Sequence, residues 1–587
     1  MKNILPIIFI LLTVSISRAQ CDCGTGVVSL NASDSASSYT FLANTTYCIT
    51  GNFTIQWTGS TFQDNVTLCL ANGATFKTSQ IINTSANAHV TIKVGQNATL
   101  IVPTIVPASF DVTIENGGTM QPLYSGLTIN GTDFALTVEN GGTFDHNGVT
   151  INSTGSIDIL NSGTIDANNI YLPNYNSLSI VNNGNINLSN VTLNGSGTID
   201  ITNNGSFTTG NFTVKNASTF NFINTSVINT SLFTLKTGVT TFNMTNNTDS
   251  KWLLSSHIHL DSASSTFLNN GEIAISGEIQ LDNGATLNMT NSGEVTTTGN
   301  FNWGESGLSN YLYNMGVIDV GGQMSSEDCL LEFINYSGAT LTMNNHLTYG
   351  TNGPNKFENY GTFHADGLYS NDPTLHMKNE GDMTLESNYS DTSESIFSNC
   401  GTLNMENWFD LNGKIINTGT YNVPNGSIGF SLTTSSIENY SEMLISNIVM
   451  GSNGIFYNEG EVTFSNAPNT SIRFSGPEST YQPAHSTSTA YGRFMWPGSQ
   501  SNQSGFAVGN LNFVTTTPAT VDDTSYPGMF GQWTSVTFGS DVVFGSCPSC
   551  VVVTDYDQCA NADGTWPETI INCIPVNRHI RSFLKGS

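Results

Sequence analysis

The residues in this chain with the types and spacing to do chemistry are few and scattered. His257 and His259, in "HIHL", fall on one face of a short extended run. Their inward neighbours Ile258 and Leu260 align with Phe233 and Leu235 on one side and with Ile279 and Leu281 on the other. That alignment sets His257 beside Glu278, and His259 between Thr234 and Gln280. Two imidazoles and a carboxylate would be a minimal set for a transition metal, but solvated polar side chains are the simpler reading. Cys547-Pro-Ser-Cys550 is a C-x-x-C, followed by Cys559 and Cys573. It lacks the βαβ context of a redox pair and the second C-x-x-C of a common zinc site, so structural disulfides fit it better. The acidic runs "SSEDCLLE" and "DTSESIF" would hold calcium weakly at best, and read as solvated loops. Cations such as Lys215, Lys251, Lys356 and Arg473 stand singly. Sugar cleavage needs paired carboxylates, or a base beside a cation, and no such cluster emerges. No catalytic residue, metal ligand or cofactor is assigned.

The elements that must position these residues announce themselves by repetition. An Asn in "N-x-G-x-apolar", with the Gly replaced at Ser226, Thr248, Ser337 and Ser441, recurs at Asn161, Asn182, Asn203, Asn224, Asn246, Asn269, Asn291, Asn314, Asn335, Asn359, Asn379, Asn399, Asn417, Asn439 and Asn458. Weaker anchors precede them at Asn72, Gln96, Asn116 and Asn140. Between anchors the apolar residues hold phase. After Asn182 they are Ile186, Val191, Leu193, Ile199 and Ile201; after Asn161 they are Ile165, Ile170, Leu172, Leu178 and Ile180. Pairs at i and i+2, rich in β-branched and aromatic types, mark short strands with alternate side chains inward. Two or three such strands per repeat predict an all-β fold, a parallel β-helix solenoid. It would have about 19 turns, about 4.8 Å apart, and right-handed winding. No turn can bury its own apolar face, but a stack can. Asn and Gly tolerate positive φ, so N-x-G is expected to turn the chain, and stacked Asn amides to bond from turn to turn as a ladder.

Composition bounds the rest. The formal charge is −29, and charged residues are only 10% of the chain. Nucleic acid and anionic membrane surfaces, which call for basic patches, are poor partners. The opening "MKNILPIIFILLTVSISRAQ" reads as a secretory signal peptide over residues 1–19, and no other run is long and apolar enough to span a membrane. Ten cysteines are then in an oxidising compartment. Cys21, Cys23, Cys48 and Cys69 lie near the start, and Cys547, Cys550, Cys559 and Cys573 near the end. They are expected to tie disulfide caps over the raw strand edges of the solenoid, with connectivity open. Cys329 and Cys400 are expected to be unpaired, about three turns apart. The expected organisation is a cap over 20–71, repeats over 72–475, an irregular β section over 476–546 and a Cys-rich tail over 547–587.

The signal "LLTVSISRAQ", the start "CDCGTG" and the N-x-G anchors resemble secreted, Asn/Gly/Thr-rich β-helical surface proteins of bacteria, adhesin-like and similar to those of the Bacteroidetes group. The resemblance implies a secreted or cell-surface protein and carries over no catalytic residue. It points to a non-enzymatic role in adhesion or spacing, with glycans or other cell-surface components as partners. The second reading is a carbohydrate-active enzyme or glycan binder, since polysaccharide lyases and galacturonan hydrolases also use β-helices. Ice binding would want an unbroken outward Thr file, and Tyr171 interrupts the one at Thr150, Thr192 and Thr213.

Overall fold

The computed structural model describes residues 26–450 with short interruptions, and beyond them isolated strands as far as Phe544. The chain divides into two compact units. One is Met1–Gly195 with Gly205–Thr208; the other is Ser196–Asn204 with Thr209–Ser587. Each unit is an all-β parallel solenoid. In the first, the strands His89–Val94, Thr99–Ile101 and Thr104–Val106 make one turn. The chain then returns as Ser109–Ile114, lying parallel on His89–Val94 with Phe110 on Val90, Val112 on Ile92 and Ile114 on Val94. In the second, Ser264–Asn269, Glu272–Ile275 and Ile279–Asp282 are covered in register by Thr286–Asn291, Glu294–Thr297 and Phe301–Trp303. Strand pairing already begins at Val28–Leu30 on Thr46–Ile49, inside the segment expected to be a cap.

The inward phase follows from alternation. Ile186, Val191, Leu193, Ile199 and Ile201 are all buried, whereas Ile170 and Ile180 are only half-buried. A further inward file, Ala167 and Leu188, was not evident from the repeat. Aromatic residues stack from turn to turn in the core. Phe220 meets Phe242 at 4.8 Å between ring centroids, and Phe233 meets Phe242 at 5.3 Å. Each such buried side chain stabilises by about 1.5–3 kcal/mol.

The Asn anchors are themselves part of this core. Asn161 to Asn439, fourteen residues, are all 0% exposed. Within the second unit an unbroken chain of amides runs from Asn203 to Asn439, each Nδ2 donating to the next Oδ1 at 2.7–2.9 Å. In the first unit Asn161 donates to Asn182 at 2.8 Å. The same Nδ2 also reaches a backbone carbonyl one turn on, as from Asn291 to Val317 at 3.0 Å. A buried amide in water-free surroundings is tolerated only when its donors and acceptor are so occupied.

Two expectations about this repeat are corrected. The weaker anchors Asn72, Gln96, Asn116 and Asn140 are not members of the ladder. The residue in register with Asn161 is Val138, and below it come Ile114, Val94 and Leu70. The file is therefore aliphatic through these turns, and the upstream "N-G" pairs lie two residues further on, at corners where Gly73, Gly117 and Gly141 have positive φ. At Gly184 and Gly293, by contrast, the N-x-G glycine is not left-handed at all. It is glycine because a Cβ there would strike the carbonyl oxygen of the glycine one turn below, Gly163 or Gly271. Gly293→Ala should therefore lower stability by about 1–3 kcal/mol through overpacking, read as a fall in the midpoint of thermal or urea unfolding.

Cys48 and Cys69 face each other in register on neighbouring strands, and both are half-cystines. Cys400 is also a half-cystine, which corrects the expectation that it stands unpaired. Cys329 keeps its thiol and is buried. Cys21, Cys23, Cys547, Cys550, Cys559 and Cys573 lie outside the described residues, as do the signal segment and the expected tail.

Candidate binding surface

The imidazole set predicted from "HIHL" has the expected register. Ile258 and Leu260 lie between Phe233 with Leu235 and Ile279 with Leu281, and His259 between Thr234 and Gln280. Yet His259 pairs with Asp282, at 2.8 Å, and His257 lies beside the Ser256 hydroxyl. Asp282 also accepts from Gln280. The described residues hold no group of three or more His, Cys, Asp or Glu arranged to share a metal ion.

A second cluster, not evident from the sequence, has the side-chain types of a serine hydrolase. His89 Nδ1 lies 2.9 Å from Ser109 Oγ, and its Nε2 lies 3.0 Å from Asp111. The three come together because His89 and Ser109 are register partners and Asp111 is two residues along the same strand face. The surroundings do not suit acyl transfer. His89 and Asp111 are each 41% exposed, and the Ser109 N–H is bonded to the Ala88 carbonyl. An oxyanion needs preorganised donors in a water-excluded site, and an open strand face supplies neither. Other His–carboxylate pairs, His346 with Asp366 and His364 with Glu386, likewise bridge neighbouring turns.

The outer face of the long sheet in the second unit changes character along its length. One outward file reads Asp200, Asn221, Asn243, Thr266 and Asn288, with Asn221 donating to Asp200 and Asn243 to Asn221. It then becomes Tyr311, Glu332, Lys356 and His376. The column just after the ladder Asn changes at the same place, from small polar residues to Met315, Tyr336, Tyr360 and Glu380. Lys356 sits between Glu332 at 3.3 Å and Glu358 at 3.1 Å. Its partial burial works against the charge, but the hydrogen bond and field of Glu358, with Glu332, prevail and raise its pKa. Tyr360 donates to Glu358 at 3.1 Å, and Lys378 lies 5.7 Å from the Tyr360 ring centroid while pairing with Glu380 at 2.6 Å. Burial, then the Glu358 charge, raises the Tyr360 pKa, so its hydroxyl stays protonated.

Beside these residues the N-x-G column opens a trough. Gly338, Gly361, Gly381 and Gly401 lie along it, with Tyr360, Thr362, Glu380, Asp382 and Thr402 at its sides, enclosing about 320 Å³. The tight stacking that excludes a Cβ at Gly381 thus also leaves a strip of bare backbone at the surface. Among the described residues no helix is long and apolar enough to cross a membrane. Comparison with family models, curated proteins and solved structures finds no match.

Proposed function

We propose that this chain is a non-enzymatic scaffold, secreted or held at the cell surface, which presents polar side chains for adhesion or spaces another element. The observation that carries this reading is the ladder from Asn203 to Asn439. Its amides are wholly engaged in holding turns together, and the polar repeat that dominates the sequence is spent on structure. Four of the lysines are likewise occupied: Lys251, Lys356, Lys378 and Lys414 each pair with a glutamate. A lyase or hydrolase would need a base and a cation free to meet a substrate.

The test is a degradation screen of the purified chain against soluble polysaccharides and acyl esters. Reducing ends, unsaturated uronates and released acid are expected to stay at the level of a buffer control. Sustained product release abolished by His89→Ala or by any single acid-to-amide change would sink the scaffold reading. The expected closure of both ends by disulfides belongs to the same proposal; it is checked by mapping disulfide-linked peptides of the chain.

A further inference from the structure

We infer that the glycine-floored trough between Gly338 and Gly401 binds a neutral polysaccharide strand along the solenoid axis, with Tyr360 at its side and the exposed Tyr336 one turn before it as an aromatic platform. The inference deepens the scaffold reading and rests on it. Three features converge on this class of ligand. First, the floor lacks side chains because the turns stack too closely for a Cβ at Gly361, Gly381 and Gly401. A flat sugar ring can therefore approach the backbone. Second, Tyr336 is 39% exposed and follows the ladder position directly, as Tyr360 does one turn on. Aromatic faces and the apolar C–H faces of sugars pack together, and the Tyr336 hydroxyl offers a polar tip, whereas that of Tyr360 is held by Glu358. Third, hydroxyl-pairing groups flank the floor at Thr362, Glu380, Asp382 and Thr402. Asp382 has no ion-pair partner among the described residues, so its carboxylate can accept from a sugar hydroxyl.

Charge selects the ligand further. Glu332, Glu358, Glu380 and Asp382 outnumber Lys356 and Lys378 here, and the whole chain carries −29. A polyuronate would meet repulsion on approach, whereas a neutral chain would not. The repeat distance also matters, since the floor glycines Gly361, Gly381 and Gly401 recur every turn, about 4.8 Å apart, close to the scale of one sugar residue. A polymer could thus make the same contacts at successive turns.

The full-length chain is to be run by affinity electrophoresis in native gels containing soluble mannan, soluble β-glucan or polygalacturonate. Retardation is expected in at least one neutral polymer and not in polygalacturonate. The Tyr336→Ala/Tyr360→Ala double variant should weaken it by about tenfold, as loss of central aromatic anchors does. Its circular dichroism and melting temperature must match the parent. Asp382→Asn, on an exposed position, serves as a second variant and should weaken binding without altering the fold. No retardation in either neutral polymer, retardation that both variants keep, or preference for polygalacturonate overturns the inference. Product release in the degradation screen bears on the scaffold reading alone, so the two failures are told apart.

Discussion

A chain carrying Asn291→Leu is expected to lose about 3–6 kcal/mol of stability, although the substitution keeps side-chain size. Asn291 accepts from Asn269 at 2.8 Å and donates to Asn314 at 2.9 Å and to the Val317 carbonyl at 3.0 Å. Leucine fills the space but answers none of these groups. Each buried polar atom left without its partner costs about 1–3 kcal/mol, and three are affected. Asn291→Asp should be at least as damaging, because it sets a carboxylate oxygen against the Oδ1 of Asn314 and the carbonyl of Val317. The damage should be local at first, since each turn contacts only its neighbours. Hydrogen exchange is the suitable readout. Amides of Thr286–Asn291 and of the strands directly above and below should exchange faster, with distant turns unaffected. A loss under about 1 kcal/mol, the size of an ordinary volume-conserving core change, would show that the amide chain contributes little beyond packing.

The same comparison explains why some of the fold was legible in the sequence and some was not. Burial at Ile186, Val191 and Leu193 was readable because alternation in a strand is a strict two-residue period. The ladder was readable from Asn161 onward because the amide recurs with a glycine, or a small Ser or Thr, at a fixed offset. Upstream, "ENGGT" at Asn116 and Asn140 imitates the motif while lying at a left-handed corner. One-letter spacing does not separate a corner that needs positive φ from a strand end that needs no Cβ. The true ladder position there is held by Ile114 and Val138. An aliphatic file thus precedes the amide file at equivalent places, so either chemistry can close this part of the turn. What differs is directionality: an aliphatic column packs without fixed geometry, whereas each amide bond sets the register of a strand on its neighbour. The trough was legible in principle. The column after the anchor switches to Met315, Tyr336 and Tyr360, but a single repeat read by its conserved positions hides the ones that vary. The Ser109–His89–Asp111 cluster was less accessible, because it depends on register between Ser109 and His89 where the sequence period is weakest.

His146 makes the second large prediction, a pH dependence that one substitution should remove. The residue ends the strand Thr143–His146 and is 1% exposed, with its ring 4.5 Å from that of Phe144. Neither ring nitrogen has a hydrogen-bond partner among the described residues. Burial alone lowers its pKa from 6.5 to about 3. The imidazole is therefore neutral in the folded protein wherever the unfolded chain has begun to bind a proton. Between those two values the unfolded state holds more protons, so stability must fall as pH falls. The slope from this one group is about 1.4 kcal/mol per pH unit once well below 6.5, and it levels off below the folded value at a total on the order of 5 kcal/mol. Carboxylates also contribute to acid unfolding, so the parent curve alone cannot isolate the histidine. The next residues in its file are Ala167 and Leu188, which makes His146→Leu the natural comparison. That variant should be more stable than the parent at neutral pH, because two unanswered nitrogens are gone. Its advantage should grow by about 2–3 kcal/mol between pH 7 and pH 4.5 in urea unfolding. Parallel curves for parent and variant over that interval would mean that the ring finds a proton acceptor on protonation, and that the solenoid opens locally to let it.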